Sequence, residues 1–183
     1  IYHALQLGIE AFNCESLQEI YVINEMAHVH GLKANVSVRI NPDIDAHTHK
    51  YVTTGLYENK FGISQHEFDK LIDILKKSEH INFIGLHFHI GSQITRVDEV
   101  FALECQRVND IVAYFERNGL KVDNINLGGG LGVDYDDPDE NPIADFGTWF
   151  RTISENIVRR EDQTVHVEPG RSLVAQCGTL ISR

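Results

Sequence analysis

The chain has 183 residues, of which 42% are hydrophobic, and its 27 Asp and Glu against 16 Lys and Arg give a net charge of −11 at pH 7. This length and hydrophobic content are sufficient for one globular domain with a buried core. The negative charge disfavours nucleic acid and anionic membranes as partners, so a bound anion needs a local site of its own. No apolar run approaches the roughly 20 residues of a membrane span.

The three cysteines, Cys14, Cys105 and Cys177, have neither the number of a disulfide framework nor the spacing of metal ligands. We therefore expect reduced thiols and a cytoplasmic protein. The chain begins at Ile1 without an initiator methionine and ends at Arg183 in the middle of a pattern. We interpret residues 1–183 as a fragment of a longer protein.

Strand-like and helix-like segments alternate along the chain. The predicted strands are 11–14, 34–40, 81–89, 120–125 and 164–168. Amphipathic helices are predicted between them, with capping boxes at 16–19 and 64–67 and a further cap at 95–98. A long connection at 43–63 is of a length that is often functional. Because parallel strands need crossover helices, the alternation predicts a parallel sheet of about five β-α units.

Two α/β architectures fit such a sheet, the (β/α)8 barrel and the doubly wound sheet, and both place active sites at the carboxyl ends of the strands. The glycine-rich stretch 126–132 lacks the GxGxxG spacing of dinucleotide folds, and no acidic ribose-binding residue accompanies it. We therefore predict a portion of a TIM-type (β/α)8 barrel. Gly128, Gly129 and Gly130 leave bare backbone amides that can approach a phosphate, although a tight turn without a ligand is the simpler alternative.

His87 and His89 end the third predicted strand, where residues two apart share a face, so we expect both to converge on the barrel interior. Many zinc hydrolases begin their ligand set with such a pair. The later strand ends offer glycines, Glu168 and Arg171 instead of further ligands. We predict no metal and keep a metal-dependent barrel hydrolase as an alternative. The simpler interpretation, a core histidine whose hydrogen bonds are made within the protein, fits His87 better than His89.

Glu168 and Arg171 place a carboxylate and a guanidinium three residues apart at the end of the last strand. A carboxylate in a barrel mouth can hold a proton on a ring nitrogen, and an arginine fork can bind a phosphate or a carboxylate. An ion pair between the two residues is the simpler alternative.

These stretches together resemble the fold-type III pyridoxal-phosphate decarboxylases over essentially the whole chain, and the diaminopimelate branch most closely. The resemblance depends on segments 85–93, 126–132 and 168–175, with 39–42 and 48–62 as further similar segments. It implies the decarboxylation of meso-2,6-diaminopimelate to L-lysine with pyridoxal 5'-phosphate, by a homodimer of the full-length enzyme. Related decarboxylases that act on ornithine, arginine or a carboxylated polyamine are alternatives, and a catalytically silent homologue is another.

The resemblance also implies residue roles. His89 would lie flat against the pyridine ring, and Glu168 would pair with the protonated ring nitrogen, which makes these two the catalytic residues. Arg171 would contact the phosphate and the substrate carboxylate. The whole set implied to bind the cofactor is His89, Ser92, Gly128, Gly129, Gly130, Glu168, Pro169, Gly170 and Arg171.

The family's cofactor-binding lysine lies on the first barrel strand in a Tyr-Ala-x-Lys context. No lysine of this chain has that context: Lys33, Lys50, Lys60, Lys70, Lys76, Lys77 and Lys121. The family's later β-domain, with its Cys-Glu motif and phosphate-binding tyrosine, is not among the 183 residues. We therefore expect the chain by itself to be neither a closed barrel nor an active decarboxylase.

Overall fold

A computed structural model describes residues 1–42, 61–178 and 181 of the protein. The strands are β1 (Phe12–Cys14), β2 (Ala34–Arg39), β3 (Ile81–His87), β4 (Asn124–Asn126) and β5 (Thr164–His166). The α-helices are α1 (Tyr2–Leu7), α2 (Leu17–Val29), α3 (Phe68–Lys77), α4 (Val97–Arg117), α5 (Phe146–Asn156) and α6 (Arg171–Val174), with 3-10 turns at Gln65–Glu67 and Ala175–Cys177. Most of the predicted connection at 43–63 lies outside the described residues.

The five strands form one parallel sheet in the order β1-β2-β3-β4-β5, which confirms the predicted β-α repetition. A doubly wound sheet reverses its strand order at a switch point, whereas a barrel adds each new strand to the same side. The unbroken order therefore agrees with consecutive units of a (β/α)8 barrel. Right-handed crossovers between strands in this order place the intervening helices on one face of the sheet.

The strand register separates an apolar face from a polar one. One row across the sheet, which packs towards the helices, consists of Cys14, Val38, Leu86, Ile125 and Val165. The adjacent row, on the opposite face, consists of Asn13, Ser37, Gly85, Asn124 and Thr164. Because side chains alternate along a strand, the helix-facing row is the core of the sheet, and small and polar residues are left to line the inner face.

The predicted amphipathic helices complete the core with their apolar faces. On α4 the fully buried members are Phe101, Cys105, Val108 and Phe115. Trp149 of α5 is also fully buried, and its ring centroid lies 5.6 Å from that of Phe101. Burial of a large side chain such as these contributes about 1.5–3 kcal/mol. No helix in the described part of the chain is long and apolar enough to cross a bilayer.

Of the three predicted helix caps, one is confirmed and two are wrong. The Ser16 hydroxyl accepts a hydrogen bond from the Glu19 amide at 3.2 Å and caps α2. Ser64 makes no cap bond, because its hydroxyl contacts the His66 ring at 2.9 Å and a 3-10 turn precedes α3. At 95–98 the N-cap residue of α4 is Arg96, which has no side-chain cap bond.

Several strands are shorter than predicted. β3 ends at His87 and β5 at His166, each two residues early, and β4 begins only at Asn124. The chain nevertheless stays close to the sheet beyond these ends, since the Glu168 amide donates to the Gly128 carbonyl at 2.7 Å. The segments that follow β3, β4 and β5 therefore pack against each other as loops, at the edge where parallel-sheet sites lie.

Candidate active site

The carboxyl ends of the strands bring polar residues together on the inner face. One row of the register consists of Arg39, His87, Asn126 and His166. Glu168 follows two residues after β5, so its side chain lies next to this row. A cavity of about 320 Å³ opens here, and its lining includes Asn126, His166 and Glu168.

Two side chains from neighbouring strands hold the Glu168 carboxylate. The Asn126 side-chain amide donates to Oε1 at 2.8 Å, and His87 Nε2 lies 3.2 Å from Oε2. The orientation of the Asn126 amide is itself fixed, because its oxygen accepts a hydrogen bond from the Gly128 amide at 2.8 Å. Glu168 keeps 48% of its side-chain surface exposed, so the held carboxylate also faces open space.

The surroundings set opposite charge states for the two partners. Partial burial works to raise the pKa of the Glu168 carboxyl, but the Asn126 hydrogen bond and His87 outweigh it and the pKa is lowered. The pKa of His87 is lowered as well, chiefly because burial disfavours the imidazolium. At neutral pH the site therefore presents an anionic carboxylate beside a neutral imidazole.

An ion pair at the ends of β1 and β2 borders this group. Arg39 donates to the Glu15 carboxylate at 2.7 Å, and its guanidinium lies 5.3 Å from the centre of the Phe61 ring. The positive charge of Arg39 also works to lower the pKa of His87. Both members of the pair stand at strand ends in the sequence, which is the signal that could have identified them.

The glycines after β4 are required by the packing of the chain itself. A Cβ on Gly128 would lie 2.3 Å from the Phe88 carbonyl oxygen, and one on Gly129 would lie 2.2 Å from the Glu168 carbonyl oxygen. The Gly129 amide donates to His89 Nδ1 at 3.3 Å, so neutral His89 carries its proton on Nε2. Close approach of three backbone segments thus gives Gly128 and Gly129 a packing reason of their own.

Gly170 differs from the glycines of that turn. Among the described residues, no atom lies within 4 Å of a Cβ built on it, and its φ of −103° is accessible to any residue. The part of the chain that the structure describes therefore gives no packing reason for a glycine at this position, which borders open space in front of α6.

Arg171, the first residue of α6, lies against two other side chains. Its guanidinium donates to the Tyr135 hydroxyl at 2.6 Å and to the Ser92 hydroxyl at 3.1 Å. Glu168 has Asn126 and His87 as its partners, and the salt bridges among the described residues include none between Glu168 and Arg171. The self-satisfying ion pair that was the simpler alternative is therefore not formed.

The structure thus brings the predicted residues together in two groups. Glu168 lies with His87, while Ser92 lies with Arg171, and the turn 128–130 is packed against His89 and Glu168. Sequence reasoning missed Asn126 and Tyr135 as partners; the strand-end position of Asn126 was an available signal, and Tyr135 had none. Among the described residues no group of three or more His, Cys, Asp or Glu could hold a metal ion.

The chemistry of these groups fits pyridoxal phosphate. A fixed anionic carboxylate suits a protonated ring nitrogen, and a guanidinium beside a hydroxyl suits a phosphate. Gly170, whose Cβ position has no neighbouring atom of the described residues within 4 Å, stands between Glu168 and Arg171 in the chain. Glu168, His89, Ser92 and Arg171 are the residues that would hold the cofactor.

Comparisons with known proteins agree with this chemistry. The pyridoxal binding domain of the pyridoxal-dependent decarboxylases matches residues 1–175. Diaminopimelate decarboxylase of Bacteroides thetaiotaomicron is 49% identical over 179 residues, which cover 98% of this chain and 46% of that protein. The structure of diaminopimelate decarboxylase from Helicobacter pylori complexed with L-lysine has a TM-score of 0.79 and 37% identity, over 95% of this chain and 43% of that one.

The arginine decarboxylase of Paramecium bursaria Chlorella virus, at 23% identity and a TM-score of 0.69, shares the fold; 93% of this chain covers 42% of that one. The chain spans less than half the length of each of these proteins. The family match, by contrast, extends over nearly all of its residues. The chain belongs to the pyridoxal-dependent decarboxylases, and the part of the family that it matches is their pyridoxal-binding domain.

Proposed function

We propose that the protein containing this chain uses pyridoxal phosphate to decarboxylate meso-2,6-diaminopimelate to L-lysine, in lysine biosynthesis. The main observation behind the proposal is that Asn126 and His87, at the ends of two neighbouring strands, bind the Glu168 carboxylate and keep it anionic. The substrate assignment is supported by 49% identity to a diaminopimelate decarboxylase and by the likeness to one complexed with L-lysine.

When bound, the cofactor supplies a protonated pyridine ring that withdraws the electrons released on loss of the α-carboxylate. The role of Glu168 is to hold the proton on the ring nitrogen, since an anionic carboxylate raises the pKa of an adjacent basic nitrogen. Its two hydrogen bonds fix both oxygens before any ligand arrives, so the charge does not have to be reoriented during the reaction.

His89 is proposed to lie flat against the ring. Its orientation is supported by the Gly129 amide, which donates to Nδ1 at 3.3 Å. We assign the phosphate to Ser92, Arg171 and the turn of Gly128, Gly129 and Gly130, with the Gly130 amide as the donor of the turn because the Gly128 and Gly129 amides already donate to Asn126 and His89. Arg171 is also assigned to the substrate carboxylate, because its planar fork of donors matches the geometry of such an anion.

Pro169 and Gly170 connect Glu168 to Arg171 and complete the proposed cofactor contacts. The proline ring restricts its own φ, which limits the freedom of the segment between the two charged residues. The missing side chain of Gly170 keeps the adjoining space open for a ligand, since no atom of the described residues lies within 4 Å of its Cβ position.

We further propose that residues 1–183 form part of a pyridoxal-phosphate-binding barrel domain, in a cytoplasmic homodimer. The sequential parallel order of the five strands supports the barrel. The three cysteines are unpaired, which is consistent with a reducing compartment. The dimer is supported by the family resemblance alone.

A substrate panel tests the proposed function. Carbon dioxide release by the purified intact protein is measured with meso-diaminopimelate, ornithine, arginine and a carboxylated polyamine. We expect kcat/KM for meso-diaminopimelate to exceed the others by at least about 100-fold, since buried groups that bind the distal substrate end are left unpaired by the wrong substrate.

Preferred turnover of another amino acid would replace the substrate assignment. Cofactor binding without any carbon dioxide release would identify a silent homologue. About one bound zinc per chain, with activity lost on chelation, would favour the barrel hydrolase.

A further inference from the structure

His87 is a buried histidine to which the proposed chemistry assigns no contact with ligand. Its side chain is 8% exposed, and Nε2 lies 3.2 Å from Glu168 Oε2. The other ring nitrogen, Nδ1, is buried and has no hydrogen-bond partner among the residues that the structure describes. An imidazole in such a place needs an explanation, because buried polar atoms are generally paired.

We propose that His87 is a positioning residue for decarboxylation, which acts by donating a hydrogen bond from Nε2 that fixes the Glu168 carboxylate. This inference rests on the proposed function, in which Glu168 holds the proton on the ring nitrogen. His87 itself touches neither the reacting atoms nor the cofactor.

The tautomer of His87 follows from its partner. An ionised carboxylate only accepts hydrogen bonds, so the proton of a neutral imidazole must lie on Nε2. Nδ1 then carries a lone pair that faces no donor among the described residues. A second proton on Nδ1 would create a buried imidazolium in a site that offers that proton no acceptor.

The charged groups that act on His87 come from three other strand ends. Glu168 after β5 and Glu15 after β1 favour the imidazolium, whereas Arg39 on β2 opposes it. His89 follows two residues later on the same segment. Burial is the strongest influence and lowers the pKa of His87, so the ring is a neutral donor at physiological pH.

Two donors are needed because a carboxylate held at one oxygen can still rotate about its terminal bond. Asn126, at the end of β4, holds Oε1 at 2.8 Å, and His87, at the end of β3, holds Oε2 at 3.2 Å. The plane of the carboxylate is therefore set by two strands of the sheet. Without His87 the group keeps one anchor and its exposed oxygen can turn away from the ring nitrogen.

Two substitutions of His87 in the intact protein separate positioning from packing. His87→Leu keeps an apolar body of similar size without a donor, and His87→Gln keeps an N–H donor near the position of Nε2. We expect His87→Leu to lower kcat about 10- to 100-fold, as a displaced catalytic group does, with KM within about twofold. His87→Gln should recover most of kcat.

His66→Leu, which removes an exposed imidazole whose hydrogen-bond partner among the described residues is the Ser64 hydroxyl, is the matched control. Circular dichroism establishes that each variant is folded. Equal kcat for His87→Leu and His87→Gln, or no loss in either, would overturn the proposal.

A second measurement needs no activity. In the cofactor-free intact protein, two-bond proton–nitrogen NMR correlations of the labelled rings report the tautomer of His87. We expect a neutral ring with its proton on Nε2 at pH 7 to 8, and loss of that single tautomer in Glu168→Leu. A neutral ring with its proton on Nδ1 would refute the hydrogen bond, and a charged ring at pH 7 would refute the neutral donor. Failure to decarboxylate diaminopimelate while the tautomer is as expected would refute the proposed function and leave the hydrogen bond between His87 and Glu168 in place.

Discussion

Glu104 lies in the middle of α4, where a carboxyl group is out of place. Its exposed fraction is 0%, and neither carboxyl oxygen has a hydrogen-bond partner among the described residues. Burial raises the pKa of this carboxyl well above the usual value of 4.5. The folded protein therefore keeps Glu104 protonated at pH values at which the unfolded chain ionises it.

This difference makes the free energy of unfolding depend on pH. The contribution of Glu104 to stability is fully present below the pKa that its carboxyl has in the unfolded chain. It is lost as pH rises towards the higher pKa of the folded protein, because the unfolded chain releases the Glu104 proton first. The loss is about 1.4 kcal/mol per pH unit, so between pH 5 and 7 it reaches about 3 kcal/mol while the folded carboxyl keeps its proton. Glu104→Gln has no such proton and should lack this slope.

Urea unfolding of the intact protein and of Glu104→Gln at pH 5, 6 and 7 measures the effect. We expect the variant to gain stability relative to the parent at each step upward in pH. Asp110→Asn, which removes an exposed acid from the same helix, is the control for the loss of one negative charge. Parallel pH profiles for the parent and Glu104→Gln would refute the reasoning.

Two further predictions concern glycines and cysteines. Gly128→Ala should cost about 2–4 kcal/mol of stability, because its Cβ would clash with the backbone and its φ is left-handed. Gly170→Ala should change stability by less than about 0.5 kcal/mol but weaken cofactor binding. Equal melting temperatures for the two variants would contradict this difference in stability. At pH 8 iodoacetamide should modify exposed Cys177 in the folded protein. Cys14 and Cys105 should react only after unfolding, because burial raises their pKa values to about 12. Mass spectrometry that finds all three cysteines modified at similar rates would disprove this prediction.

The order of strands and helices could be predicted because it depends on local patterns. Apolar runs such as 81–87 and the stripe on α4 carry the periods of buried strands and helices in the sequence itself. The caps at 64–67 and 95–98 could not be predicted reliably. A capping pattern does not reveal that the Ser64 hydroxyl has the His66 ring as a competing partner, or that the Arg96 guanidinium pairs with Glu99.

Within the candidate site, the sequence predicts that these residues follow strand ends, but it does not predict which partners they have. Glu168, Ser92 and Arg171 lie in motifs that follow strands, and the structure brings Ser92 and Arg171 into contact. The partners Asn126 and Tyr135 are 42 and 36 residues away from the groups that they hold, so only the folded chain reveals them.

The glycine turn is a second place where the sequence does not reveal which group a residue contacts. Its sequence is compatible with a phosphate cradle, yet its glycines are needed because neighbouring carbonyl groups leave no room for a Cβ. A pattern of residue types indicates that a backbone must approach something closely. It does not indicate whether that something is a ligand or the chain itself.

The role of Glu168 is the central claim, and one measurement tests it directly. Cofactor content and the rate of carbon dioxide release from meso-diaminopimelate are compared for the intact protein and Glu168→Gln, which keeps the shape of the side chain without its charge. We predict that the variant binds pyridoxal phosphate but loses turnover by a barrier increase on the order of 2–4 kcal/mol, as expected when one preorganised electrostatic partner is removed. Near-normal turnover by Glu168→Gln would contradict the account.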